Sequence, residues 1–263
     1  MGENNLNCEV SVMIIEYRIP TLLQQIMRWE REFSREVEYL ETPTGLFLGI
    51  DFNEKEGYFC TPVDSFPFAR TGGDGIHYAL LTDFGLVKDL DEAPVIRVSP
   101  MDSDRVRLVA RNLHDFFSLH LFDELALLNE YPSEEAYLES VRKEEARDLN
   151  SEWFDHDRWK REKQKVLNEV QERFNLTPIP NPVQYLQEIR FERSLQITTL
   201  TEDSLGILAP LLGAQGKETF LASIRNLQHT SSSNRVIIER HANELLKMGM
   251  THEAESLLAR LLR

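Results

Sequence analysis

The fold of this chain is decided in its first third, where residues 61–85 read TPVDSFPFARTGGDGIHYALLTDFG. Within it, Ile76–Leu81 is strongly apolar and is bounded by Gly75 and Asp83, as a central β-strand would be. Three of the four residues in Gly72–Gly75 are glycines, which adopt the positive φ values of tight turns at little cost. The stretch therefore predicts a glycine-rich turn that leads into a buried strand.

Glycine usage separates a sheet region from a helical region. Seven of the twelve glycines lie between Gly45 and Gly85, and none occurs from Leu86 to Leu205. Because glycine weakens a helix by roughly 1 kcal/mol per position, a long stretch without it favours helices. We predict an α+β protein, with an N-terminal, mostly antiparallel sheet of about five strands flanked by helices and a mainly α-helical C-terminal half. The predicted strands are 46–52, 58–61 (after a hairpin loop at 53–57), 76–81, 95–98 and 106–109.

Apolar residues at helical spacing predict the remaining elements. The predicted helices are 21–39, 112–128, one that begins after Ser133, 159–174, 183–193 and 218–227. The last thirty residues predict two antiparallel helices that are joined at Gly249 and Met250, which is an αα-hairpin.

Three segments are expected along the chain. They are an α+β domain at 1–130, a helical extension at 131–177 and a C-terminal helical region at 178–263. The proposed division after residue 177 rests on Thr177–Pro182, where three prolines in five residues favour an extended connector. The same segment also fits a rigid loop inside one unit.

Composition and charge restrict the classes of function. The chain carries 29 Lys and Arg against 44 Asp and Glu, a formal net charge of −15, which repels phosphate backbones and anionic lipids. We therefore expect no direct nucleic-acid partner and no membrane partner. Cys8 and Cys60 are the only cysteines, which excludes a disulfide framework and fits a reducing compartment. With no apolar run of spanning length and no secretory leader pattern, we expect a cytoplasmic protein without a cofactor.

Acidic residues and a histidine near the glycine-rich turn allow a metal-site hypothesis. Asp64, Asp74, His77 and Asp83 supply oxygen and imidazole ligands within twenty residues, although their spacing matches no known ligand frame. The alternative interpretation is that Asp74 accepts hydrogen bonds from turn amides and that His77 lies on a strand face. A second cluster of Glu152, Asp155, His156 and Asp157 is interpreted as exposed charge.

Four arginines near the last two predicted strands form a local basic excess, Arg97, Arg105, Arg107 and Arg111. They fit a site for a carboxylate or phosphate, the solvated side of an edge strand, or ion pairs with nearby aspartates. The aspartates concerned are Asp102, Asp104 and Asp115.

The order of motifs in the first half resembles the central signature of the SMI1/KNR4 superfamily, which is also called SUKH. The matching residues are Phe66–Ala69, Gly72–Gly75, the strand that follows them and Asp83–Gly85, and the resemblance spans roughly 44–122. It implies an α+β binding domain without catalytic residues. Bacteria use such domains as immunity proteins against toxins, many of which are nucleases, and eukaryotic relatives act as regulatory scaffolds.

Three hypotheses of function follow. The first is a non-catalytic cytoplasmic binding module of the immunity type, which neutralises a basic, nuclease-like toxin; an acidic chain gains association rate with such a partner. The second is a metal-dependent hydrolase that uses the cluster of Asp64, Asp74, His77 and Asp83. The third is a regulatory adaptor that acts through the C-terminal hairpin. For the first hypothesis the predicted partner-binding residues are Asp64, Asp74, His77, Asp83, Asp102 and Asp104.

Overall fold

We describe the protein from a computed structural model, which describes residues 17–52, 57–149, 153–208, 217–227 and 235–262. Three expectations concern residues outside these ranges. They are the thiol of Cys8, most of the hairpin loop at 53–57 and the carboxyl group of Glu152.

Five strands form one antiparallel sheet, in which each strand pairs with its neighbour in sequence. The strands are β1 (Phe47–Leu48), β2 (Ser65–Arg70), β3 (His77–Leu81), β4 (Val95–Val98) and β5 (Val106–Ala110). With helices making up most of the rest of the described chain, the predicted α+β class with an N-terminal sheet is confirmed.

The second strand was predicted in the wrong place. Residues 58–61 form a hydrogen-bonded turn, and β2 begins four residues after it. Proline lacks the amide hydrogen that a central strand donates, so Pro67 is tolerated only at a bulge or an unpaired edge. Both conditions hold here, since the register with β3 shifts between Pro67 and Ala69, and β1 ends before it reaches Pro67.

The predicted helices are confirmed, with ends that shift by a few residues. The helices are α1 (Thr21–Phe33), α2 (Leu113–Leu128), α3 (Glu134–Leu149), α4 (His156–Phe174), α5 (Pro182–Ser194), α6 (Lys217–Asn226), α7 (Arg235–Lys247) and α8 (Thr251–Ala259). Side-chain caps explain several starts: Asn112, Asp155 and Asn181 each accept a hydrogen bond from the amide three residues later. A short two-stranded ribbon, β6 (Ile197–Thr199) and β7 (Ile207–Leu208), follows α5.

Two hydrophobic cores are present in the described residues, and neither is confined to one predicted segment. The main core joins the sheet and α2 to Val166 of α4 and to Val183 and Ile189 of α5. The second core joins Val63 and Phe84, which flank β2 and β3, to α6, α7 and α8. Residues on both sides of the proline-rich stretch at 177–182 therefore belong to the main core.

The C-terminal αα-hairpin is present, and it packs against the sheet. The aromatic ring of His252 on α8 stacks on Phe66 with a centroid distance of 3.8 Å, and its Nε2 donates to Ser65 O. Arg260, just beyond α8, donates to Thr61 O. The hairpin is thus part of the same folded body as β2.

Among the described helices, none is both long enough and apolar enough to cross a membrane.

Candidate functional site

The pairing register places the six predicted site residues at two opposite ends of the sheet. One end carries the connections 71–76 and 99–105, because Arg70 pairs with His77 and Val98 pairs with Val106. We call it the turn end. Asp74, His77, Asp102 and Asp104 belong to this end, whereas Asp64 and Asp83 flank the opposite ends of β2 and β3. The sequence-predicted residues therefore do not form one cluster.

Asp64 and Asp83 lie inside a buried ionic cluster. Arg225 of α6 donates to Asp64 Oδ2 at 2.6 Å and to Asp83 Oδ1 at 3.3 Å, and it also contacts Asp203 at 3.4 Å. Arg193 of α5 grips Asp83 with two nitrogens at 2.6 and 3.1 Å. Arg225 and Asp64 have no exposed surface. The cluster joins the sheet to α5 and α6, so these two carboxylates are not offered to a partner.

Burial changes the acidity of one member of this cluster. Loss of solvent raises the pKa of the Asp64 carboxyl from 3.8 to about 6; Arg225 opposes the rise, and Asp83 and Asp203 add to it. The geometry agrees, because Asp64 Oδ1 is buried without a hydrogen-bond partner. Three carboxylates also face only two guanidinium groups, so one bound proton neutralises the cluster.

The turn after β3 adopts an unusual backbone. Asp83 and Phe84 have φ values of 49° and 54°, a region that bulky side chains rarely occupy. The amide of Phe84 donates to Asp64 Oδ2, and the guanidinium of Arg225 lies over the Phe84 ring. The ionic cluster thus stabilises the turn whose sequence, Asp83–Gly85, contributed to the family resemblance.

The metal-site hypothesis requires side chains that the structure keeps apart. Asp64 and Asp83 face arginines, and His77 lies at the other end of the sheet. Within the ranges that the structure describes, no group of three or more His, Cys, Asp or Glu side chains could hold a metal ion. The second acidic cluster is also explained locally, since Asp155 caps α4.

His77 is buried and both of its ring nitrogens have partners. Nδ1 donates to Gly75 O at 2.9 Å, and the hydroxyl of Thr61 donates to Nε2 at 3.0 Å. That hydroxyl in turn accepts from the amide of Tyr58 at 2.7 Å. His77 therefore fixes the segment 58–61 to the glycine-rich turn, in agreement with the structural alternative for this residue.

Two glycines of the turn allow aromatic rings to approach the backbone closely. A Cβ atom at Gly72 would lie 2.7 Å from the Phe47 ring, and one at Gly75 would lie 2.6 Å from the Tyr58 ring. Both glycines have positive φ values, of 82° and 71°. Gly73 differs, because a Cβ atom there would meet nothing within 4 Å.

Replacing Gly75 by alanine is expected to lower the free energy of unfolding by about 1–3 kcal/mol, since the new methyl group strains the backbone and displaces Tyr58. Gly73→Ala is the matched control, with an expected change within about 0.5 kcal/mol. Urea unfolding of the two variants measures both effects. Equal losses would contradict the assignment of the close contact to Gly75.

The glycine-rich turn, Phe47 and Tyr58 enclose an open cleft of about 640 Å³. Its floor and walls are mainly apolar, and Arg70 is the charged residue that lines it. The lining residues are Phe47, Gly57, Tyr58, Pro67, Arg70, Gly72, Gly73, Gly75, Ile76 and His77.

Large apolar side chains are exposed at the turn end. Phe47, Tyr58 and Phe59 are each about half exposed, at 43%, 48% and 52%, and Met101 on the 99–105 connection is 80% exposed. The guanidinium of Arg105 lies over the Phe59 ring at 5.2 Å. Aromatic residues, methionine and arginine are the types enriched in protein interfaces. The sequence pattern predicts a strand at 58–61, and for this reason it does not indicate that Tyr58 and Phe59 are surface residues.

Three of the predicted acids lie at the turn end, where Asp74 and Asp104 are exposed and Asp102 is partly exposed. Asp74 is exposed and makes no ion pair with the described residues. Asp102 pairs with the buried Arg97 at 3.1 Å, and Asp104 pairs with Arg107 at 2.9 Å. These two pairs agree with the ion-pair interpretation for Arg97 and Arg107, whereas Arg111 pairs with Glu192 and not with Asp115, and Arg105 lies over the Phe59 ring. Asp74 and Asp104, and in part Asp102, are accessible to a partner.

Comparison of the chain with protein-family models, with curated proteins and with solved structures found no match.

Proposed function

We propose that this protein is a non-catalytic cytoplasmic binding module whose turn end docks on a basic protein. The observation that supports this most directly is the coincidence of Phe47, Tyr58, Phe59 and Met101, all exposed, with three acidic side chains on one end of the sheet. Exposed apolar groups that lie together on a soluble protein mark interaction sites. The acids around them select the charge of the partner.

The net charge of −15 supports a basic partner. Opposite charges accelerate association by steering the encounter, by roughly 10–10³ fold at low salt. The family resemblance gives this proposal its particular form, an immunity-type protein that neutralises a toxin of the basic, nuclease-like kind. In this form the protein acts by occupying the toxin's surface and needs no reacting group of its own.

The adaptor hypothesis is less well supported by the contacts of the C-terminal hairpin. One face of the hairpin fills the second core, and His252 and Arg260 bind the backbone of the β2 region. Deleting the hairpin would therefore remove part of the fold. We prefer the turn end because its large apolar side chains are exposed to solvent and do not belong to either hydrophobic core.

Replacing Phe59 and Met101 by alanine is expected to weaken binding to a basic toxin encoded by a neighbouring gene by at least tenfold, because interface anchors carry most of the binding energy. Phe191→Ala is the matched control, since Phe191 on α5 is 64% exposed and does not line the cleft. Isothermal titration calorimetry measures the dissociation constants.

The salt dependence of the association rate provides a second readout. The rate constant should fall as ionic strength rises, because salt screens exposed charges. A rate that stays constant with salt removes the charge argument, and equal affinities for the Phe59/Met101 double variant and the Phe191 variant reject the turn end as the docking surface.

A further inference from the structure

The chemistry of the cleft at the turn end restricts what can occupy it. The one imidazole in its wall, His77, has both ring nitrogens engaged by Thr61 and Gly75. The imidazole therefore has no hydrogen bond left for a ligand. What the cleft offers a ligand is mainly apolar and aromatic surface.

The cleft presents ring surfaces because glycines line it opposite the aromatic walls. Phe47 and Tyr58 rest on Gly72 and Gly75 at distances that no Cβ atom would permit. Tyr58 is also held by its stacking on His77, with a centroid distance of 5.8 Å and an interplanar angle of 23°. The walls are thus positioned before any ligand arrives, which lowers the entropic cost of binding.

The charges around the cleft favour one kind of occupant. The exposed rings of Phe47 and Tyr58 offer surfaces against which another aromatic ring packs favourably. An acidic ligand would meet Asp74 beside the cleft and the negative field of the whole chain. A cation next to the ring would instead gain from Asp74, which has no ion pair with the described residues.

We propose that the cleft binds an aromatic side chain of the partner, and that a lysine or arginine beside this anchor pairs with Asp74. The inference rests on the proposed function and specifies its recognition chemistry. The cleft volume of about 640 Å³ lies within the range of small-molecule sites. It accommodates an aromatic ring together with the first atoms of the two residues that flank it in the partner. The partner's binding segment is therefore an aromatic residue flanked by basic ones.

Three capped tripeptides test this chemistry on the full chain. The probes are acetyl-Lys-Trp-Lys-amide, acetyl-Lys-Ala-Lys-amide and acetyl-Glu-Trp-Glu-amide, and the readout is the amide NMR shifts of Gly72, Gly73 and Gly75. The basic tryptophan peptide should bind with a dissociation constant on the order of 1 mM. The other two should bind at least tenfold more weakly. The proposal is overturned if the basic alanine peptide binds as tightly as the basic tryptophan peptide, or if the basic tryptophan peptide does not bind.

Filling the cleft gives a test with a matched control. Gly73 and Gly49 are both exposed, neither has a positive φ, and a Cβ atom at either one meets nothing within 4 Å. Gly73 lines the cleft and Gly49 does not. Gly73→Leu should weaken binding of the basic tryptophan peptide at least tenfold, and Gly49→Leu should leave it unchanged. Retained binding in the Gly73 variant overturns the proposal.

The two glycine variants, together with the Phe59/Met101 double variant, distinguish a failure of this inference from a failure of the proposed function. If the toxin binds Gly73→Leu as tightly as it binds the natural chain but loses affinity for the Phe59/Met101 double variant, the turn end is the docking surface and the cleft is not its anchor site. If the toxin loses affinity for Gly73→Leu and keeps it for Gly49→Leu, the anchor is supported.

Discussion

Replacing Arg225 by alanine is expected to lower the free energy of unfolding by about 3–5 kcal/mol, the cost of leaving buried charges without their partner. The variant would leave Asp64 facing no cation and would remove the contact with Asp203. Since a typical protein is stable by about 5–15 kcal/mol, this single change removes a large part of the total. Urea unfolding followed by circular dichroism measures the effect.

Arg235→Ala is the matched control for this prediction. Arg235 also pairs with a carboxylate, Glu239 at 2.7 Å, but its side chain is 79% exposed. Exposed pairs contribute about 0–1 kcal/mol, so the control should be nearly as stable as the natural chain. If the two arginine variants lose equal amounts of stability, the buried cluster does not hold the sheet to α5 and α6.

Replacing Asp64 by asparagine is expected to change how stability depends on pH. In the folded protein the pKa of Asp64 is raised to about 6, chiefly by burial, so between pH 4 and 6 the folded state binds more protons at this site than the unfolded state does. Stability from this group is therefore greatest below the unfolded pKa and is lost as the pH rises through 6. The shift corresponds to roughly 3 kcal/mol.

The measurement is the difference in unfolding free energy between Asp64→Asn and the natural chain from pH 4 to pH 7. It should move in favour of the variant by roughly 2–3 kcal/mol as the pH rises, because at pH 4 the carboxyl of the unfolded chain is already partly ionised. The groups that share this environment, Arg225, Asp83, Asp203 and the nearby Tyr17, are kept in both proteins. Asp74→Asn is the control, because it shows how the replacement of an exposed carboxyl changes the pH dependence of the unfolding free energy. A difference that moves in the opposite direction shows a carboxyl stabilised in its ionised form and contradicts the prediction.

Local patterns predicted most elements because they depend on neighbours in sequence. Asn112, Asp155 and Asn181 cap their helices through an amide only three residues away, and the helical spacing after each was visible in the sequence. The misplaced strand has an equally local cause. Pro67 made residues 65–70 an unfavourable candidate for a strand. The apolar residues 58–60 have the composition of a strand, but they lie in a hydrogen-bonded turn in which Tyr58 and Phe59 are exposed.

The candidate site was predicted only in part, because exposure depends on which elements cover which end of the sheet. Asp64 and Asp74 look alike in sequence, as aspartates ten residues apart. Arg225, 161 residues further along the chain than Asp64, buries the first, while nothing in the described chain pairs with the second. No local pattern predicts an ion pair at that separation.

The sequence by itself determined the α+β class, the order of the helices, the glycine-rich turn and the negative net charge, since each follows from residue type and short-range spacing. Only the tertiary structure decided which acids are structural and which are exposed. It folds the C-terminal helices against the residues that precede β2 and follow β3, and it leaves Phe47, Tyr58, Phe59 and Met101 exposed at the turn end. The physical reason is that long-range packing sets the solvation of each charge and ring, and solvation separates a buried ion pair from a surface that can bind a partner.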